Sequence, residues 1–96
     1  MKRVSVYEND KFVGWFDLDS AEEIGSYKWG SPYVSGKILL VTKGGKLIIN
    51  DWNNSGYDSY RFAENEEEIA EILAKSGVNE EKLTEKLKEI LKKYEL

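Results

Sequence analysis

Lys37-Ile38-Leu39-Leu40-Val41-Thr42-Lys43-Gly44-Gly45-Lys46-Leu47-Ile48-Ile49 is the stretch that decides the fold. Two apolar, partly β-branched runs flank a Gly-Gly pair. Both glycines can take positive φ without a Cβ clash, so the pattern predicts a β-hairpin. It does not predict a phosphate loop. Gly44-Gly45-Lys46 lacks the four-residue spacing and the Ser/Thr after Lys, and no helix follows it.

Upstream, Lys2 to Tyr7 alternates, with Val4 and Val6 on one side and Arg3, Ser5 and Tyr7 on the other, which reads as a half-buried strand. Asn9-Asp10 supplies turn chemistry. Phe12 to Phe16 completes a second hairpin, and Gly14 inside it predicts a bulge or a close approach. Ser20 with Glu23 fits a capping box and predicts a short helix that Gly25 ends. Gly25 to Gly36, with Gly30-Ser31-Pro32 at its centre, reads as a loop. Trp29 and Tyr33 are expected to fold back from it as a lid on the core.

Downstream, Asp51 to Gly56 is a polar turn and Tyr57 to Phe62 a fifth strand. Asn65 at an N-cap, Glu68 three residues on and Gly77 as terminator predict a helix over 65–76. Asn79, Glu80-Glu81 and Lys92-Lys93 predict a second over 79–95. Its stripe is Leu83, Leu87, Ile90, Leu91 and Tyr94. The whole reads as one α+β domain spanning 1–96: an antiparallel sheet of about five strands in residues 1–63, with a short helix and loop over 19–36, then two C-terminal amphipathic helices.

With 96 residues there is room for one core. There is no Cys and no His, so disulfides, thiolate chemistry and the commonest general base are excluded. No run approaches the roughly 20 apolar residues of a membrane span. Met1-Lys2-Arg3-Val4-Ser5 lacks the apolar core of a secretory signal. A soluble, cytoplasmic protein without cofactor or metal is the expectation. Residues 1–63 carry 8 basic and 8 acidic side chains, whereas 64–96 carry 6 Lys and 10 Glu, so the net charge of −4 lies in the helical part. Such a chain lacks the basic footprint of a nucleic-acid binder.

Asp17, Asp19 and Glu22 form the densest carboxylate group outside the helices. As a calcium loop it fails, having no Gly at the sixth position and Lys28 where the bidentate acid belongs. Capping is the simpler reading, with a carboxylate-metal enzyme as its functional alternative. The aromatic residues offer more. Trp15, Trp29, Tyr33, Trp52, Tyr57 and Tyr60, with Arg61, are the candidate binding residues, because rings left on the far face of the sheet would stack on a peptide or on bases. The acidic surface from Glu64 through Glu71 suits a basic partner.

Val13-Gly14-Trp15-Phe16-Asp17, Trp29-Gly30, Gly44-Gly45-Lys46-Leu47-Ile48-Ile49-Asn50-Asp51-Trp52 and Tyr60-Arg61-Phe62 before an acidic helix together resemble a family of small uncharacterised prokaryotic proteins. These share a Gly-x-Phe-Asp step, a Trp-centred loop, a Gly-Gly hairpin ending in Trp, and a helix rich in Glu and Ala. The resemblance covers about residues 4 to 77. At Leu47-Ile48-Ile49 this chain departs from the family's more aromatic and polar pattern. The resemblance implies an accessory or toxin–antitoxin-like role. Together these features lead to the expectation of a small non-enzymatic protein–protein interaction module, antitoxin- or inhibitor-like, with an unidentified protein partner. Single-stranded nucleic-acid binding through the aromatic face is the alternative. A homodimer through the Leu83–Leu87–Leu91 stripe is also expected.

Overall fold

A computed structural model describes all 96 residues. Its strands are β1 (Arg3–Glu8), β2 (Lys11–Asp17), β3 (Glu22–Trp29), β4 (Ser35–Val41), β5 (Leu47–Asn53) and β6 (Asp58–Phe62), followed by helices α1 (Glu66–Ser76) and α2 (Glu85–Lys93). All pairing is antiparallel, in a β1-β2 hairpin and a β3-β4-β5-β6 sheet. The fold is α+β and ends in a helix pair.

The layering follows from the apolar runs in β4 and β5. Neighbouring strand residues point to opposite faces. Leu39 pairs with Ile49 and Leu40 with Ile48, so an apolar pair lies on each face of the sheet. On one face, Leu39 and Ile49 join Ile69, Ile72, Leu73, Leu83, Leu87 and Ile90 of the helical segment in a single core. On the other, Leu40 and Ile48 pack beneath Val6 and Phe16 of the β1-β2 hairpin, with Ile38, Tyr60 and Phe62 around them. The Phe16 and Tyr60 rings meet edge to face at 5.5 Å. The molecule therefore has three layers: hairpin, sheet and helices.

Local chemistry sets the elements. Asn9 and Asp10, at φ 51° and 64°, turn β1 into β2. The register steps from Val6↔Gly14 to Tyr7↔Phe12, leaving Val13 as the extra residue of a bulge beside Gly14. The Asn65 side chain accepts from the Glu68 amide, and Gly77 ends α1 at φ 67°.

Several expectations need correction. The β4-β5 connection is five residues, Thr42–Lys46, rather than a Gly-Gly two-residue turn. Only Gly45 takes positive φ, and the loop is closed by Thr42 N–H donating to the Lys46 carbonyl at 2.9 Å and Lys46 N–H donating to Thr42 Oγ1 at 3.1 Å. No short helix is built on Ser20 and Glu23. Instead Asp17 accepts from the amides of Asp19 and Lys2, both at 3.0 Å, and caps a single 3-10 turn over Leu18–Ser20.

Of the expected loop over 25–36, only 30–34 connects strands: 25–29 belong to β3 and 35–36 open β4, which makes six strands rather than five. The sequence of β3 conceals this because it is an edge strand with a bulge. The step from Glu23↔Leu40 to Gly25↔Leu39 places Ile24 against the helix-side core, and a Cβ at Gly25 would stand 2.7 Å from Ser76 Oγ. Trp29 and Tyr33 form no lid; both are exposed. Finally, 79–95 is not one helix. Asn79 caps a 3-10 turn over Glu80–Lys82, Leu83 turns into the core, and Thr84 caps α2 afresh. Of the Leu83–Leu87–Leu91 stripe, Leu83 and Leu87 are buried in this chain's own core and Leu91 is half-buried against it.

Ile90, at 2% exposure, is the furthest core residue along α2. Ile90→Ala is expected to lower unfolding stability by about 2–5 kcal/mol. Urea unfolding followed by circular dichroism measures it, and a loss below about 0.5 kcal/mol, the scale of a surface substitution, contradicts the docking of α2.

Candidate functional site

The β1-β2 hairpin buries Val6 and Phe16 and so turns Tyr7 and Trp15 outward, and the bulge at Val13 brings Phe12 to that side by pairing it with Tyr7. Tyr7, Phe12, Val13 and Trp15 are 48%, 59%, 45% and 52% exposed. Ser5 pairs with Trp15 and Tyr7 with Phe12, which gathers these side chains on the two strands of a single hairpin. The Tyr7 and Phe12 rings stand edge to face at 6.2 Å, and the Arg3 guanidinium lies 4.8 Å from the centre of the Trp15 ring. β2 has no strand partner on its other edge. Scattered exposed apolar residues need no explanation; here four large ones stand on one hairpin.

The seven residues singled out from sequence do not share one face. Trp15 belongs to this outer hairpin surface. Tyr60 lies in the core between hairpin and sheet, where burial first and Asp58 second raise its phenol pKa. Trp29 sits on the helix side of β3 beside Tyr27, with ring centres 5.3 Å apart. Tyr33, at 79% exposure, stands on the β3-β4 loop. Trp52 and Tyr57 line a shallow cleft of about 380 Å³ at the far end of the sheet, together with Asn50 and Asp58. The Trp52 ring lies over Gly36, where a Cβ would come within 2.4 Å of it. Asn50 is 5% exposed and donates to Asp58 Oδ1 at 2.6 Å and to the Ser59 carbonyl at 3.0 Å.

Arg61 faces the helices. Its Nε donates to Asp51 Oδ2 at 2.6 Å, and its Nη1 and Nη2 donate to the two Glu68 oxygens, each at 2.7 Å. Lys37 Nζ adds a bond to Glu68 Oε2 at 2.6 Å. This four-residue network fastens the first turn of α1 to β4, β5 and β6. A base or phosphate would have to displace two carboxylates to reach Arg61. Glu68 falls within the acidic stretch from Glu64 through Glu71, but its side chain is only 17% exposed. One usable signal was present: Lys37 and Asp51 stand two residues from Leu39 and Ile49 on their strands and so share the core-facing side.

The Asp17, Asp19 and Glu22 carboxylates do not converge. Asp17 serves as a cap, Asp19 pairs with the N-terminal ammonium at 3.4 Å, and Glu22 begins β3. No group of three or more His, Cys, Asp or Glu side chains is arranged to hold a metal ion. No helix is long and apolar enough to cross a membrane. No family model matches this chain, and no curated protein or solved structure matches it.

Hydrogen bonds from Arg61, then from Lys37, hold the Glu68 carboxyl at about 2, down from an ordinary 4.5 and against the burial that pushes it up. A group lowered on folding stabilises above its unfolded value and loses that contribution as pH falls toward its folded value. Glu68 should therefore contribute fully above about pH 4.5 and progressively less down to about pH 2, up to about 3 kcal/mol in all. Asp17, Glu66 and Glu71, lowered chiefly by hydrogen bonds from Lys2, Lys93 and Lys75, act in the same direction. Glu68→Gln isolates the buried group. It is expected to cost about 1–3 kcal/mol at neutral pH and to flatten the acid limb of the stability profile. An unchanged acid limb contradicts the assignment.

Proposed function

We propose that this protein is a small, non-enzymatic protein–protein interaction module of the antitoxin or inhibitor type, working in the cytoplasm through the outer face of its β1-β2 hairpin. One observation carries the proposal: Tyr7, Phe12, Val13 and Trp15 are each about half exposed together on one rigid hairpin, with Arg3 beside them. Aromatic residues and Arg are the side chains most enriched where protein interfaces concentrate their energy. The hairpin's inner face is already anchored in a core, so these rings are held in place before any partner arrives, which reduces the ordering cost of binding. The unpaired edge of β2 adds backbone donors and acceptors that a partner strand could use. The partner's matching surface would be apolar, with a carboxylate placed for Arg3.

The Phe12→Ser, Trp15→Ser double variant tests this. Both side chains point to solvent, so unfolding stability is expected to stay within about 1 kcal/mol of the parent. Affinity capture from a native extract of the source cells should recover a partner with the parent and lose it with the variant, whereas Tyr33→Ser should capture normally. Equal capture by parent and double variant, or no partner at micromolar concentration, contradicts the proposal. So does salt-sensitive quenching of tryptophan fluorescence by a single-stranded oligonucleotide that the double substitution abolishes.

A further inference from the structure

The helix-side core is not sealed at the end near Lys46. There a cleft of about 660 Å³ opens between the β4-β5 loop, the start of β3 and the segment leading into α2. Its floor is formed by Ile24, Val41, Leu47 and Leu87. Leu87 belongs to the buried core, and Ile24 and Leu47 pack against it while remaining half-exposed. Apolar surface therefore continues from the core into solvent without a covering element.

Three lysines line the cleft: Lys46, Lys82 and Lys86. None takes part in any of the protein's ion pairs or side-chain hydrogen bonds. By contrast Lys37, Lys75, Lys88 and Lys93 all have carboxylate partners. Glu22 and Glu64 also line the cleft and are likewise unpaired, leaving a net charge of +1 there in a chain whose total is −4. An apolar floor with an excess of free cations at its edge is complementary to a molecule that is apolar at one end and anionic at the other. The volume lies within the usual range for small-molecule sites.

We propose that this cleft binds an amphiphilic carboxylate, its hydrocarbon chain on the floor and its carboxylate among Lys46, Lys82 and Lys86. The site is separate from the outer hairpin surface, and neither proposal depends on the other. Decanoate, below its micelle concentration, is the probe, followed by methyl NMR on the full chain. Saturable shifts are expected at Ile24, Val41, Leu47 and Leu87 and not at Val13. Decanol should bind about tenfold more weakly for want of the charge. The triple variant Lys46→Ala, Lys82→Ala, Lys86→Ala, all at exposed positions, should lose about the same factor. Glu22→Gln with Glu64→Gln removes the opposing charges and should tighten binding several-fold, which keeps the test decisive if the triple variant folds poorly. Shifts confined to the hairpin, non-saturating shifts, equal binding of decanol, or weaker binding by the glutamine variant overturns the proposal.

Discussion

Leu39 with Ile49, and Leu40 with Ile48, give the central sheet two apolar faces, and a single helical layer can cover only one of them. The remaining architecture answers that constraint. The helices take the Leu39–Ile49 side, and the opposite side must be covered by whatever chain remains, which is the N-terminal hairpin. Its alternation then fixes the consequence. Val6 and Phe16 go inward, so Tyr7, Val13 and Trp15 go outward, onto a surface with no further layer to receive them. The exposed aromatic cluster follows directly from burying both sides of β4 and β5. Sheet side-chain periodicity makes this all-or-none, because a register slip of one residue would reverse the hairpin's two faces.

The second organising contact is electrostatic. Arg61 and Lys37 hold Glu68 from the sheet side, while the Glu68 amide is held by the Asn65 cap. One residue thus fixes both the start of α1 and its seat on the sheet. Much of the cost of desolvating these charges is met by paired hydrogen bonds of 2.6–2.7 Å. The network also removes the one arginine that sequence reasoning had offered to a ligand, leaving Arg3, stacked on Trp15, as the cation beside the exposed rings.

Much of this was legible in the sequence. The two hairpins, the sixth strand of the chain and both caps of α1 follow from local rules about Gly, Asn, Asp and alternation. The places that resisted are those where tertiary contact overrides local preference. β3 reads as a loop because Ile24 bulges and Gly25 is required by Ser76 of α1. The second helix reads as continuous because Asn79 and Thr84 are both competent caps, and only the burial of Leu83 decides between them. For the proposed binding surface, composition showed that aromatics were plentiful but not which face each ring would occupy. Trp15, Trp52 and Tyr60 look equivalent along the chain and end up on the hairpin's outer face, at a distal cleft and in a core.

The account rests on which face of the hairpin meets the sheet, and a proton NOE spectrum of the aromatic rings reads that directly. Cross-peaks from the Phe16 ring to Tyr60 and to the methyl groups of Leu40 and Ile48, with none from Trp15 to those methyls, are the predicted result. Trp15 cross-peaks to Leu40 or Ile48 would place the aromatic cluster in the core and contradict both the layering and the interaction surface proposed from it.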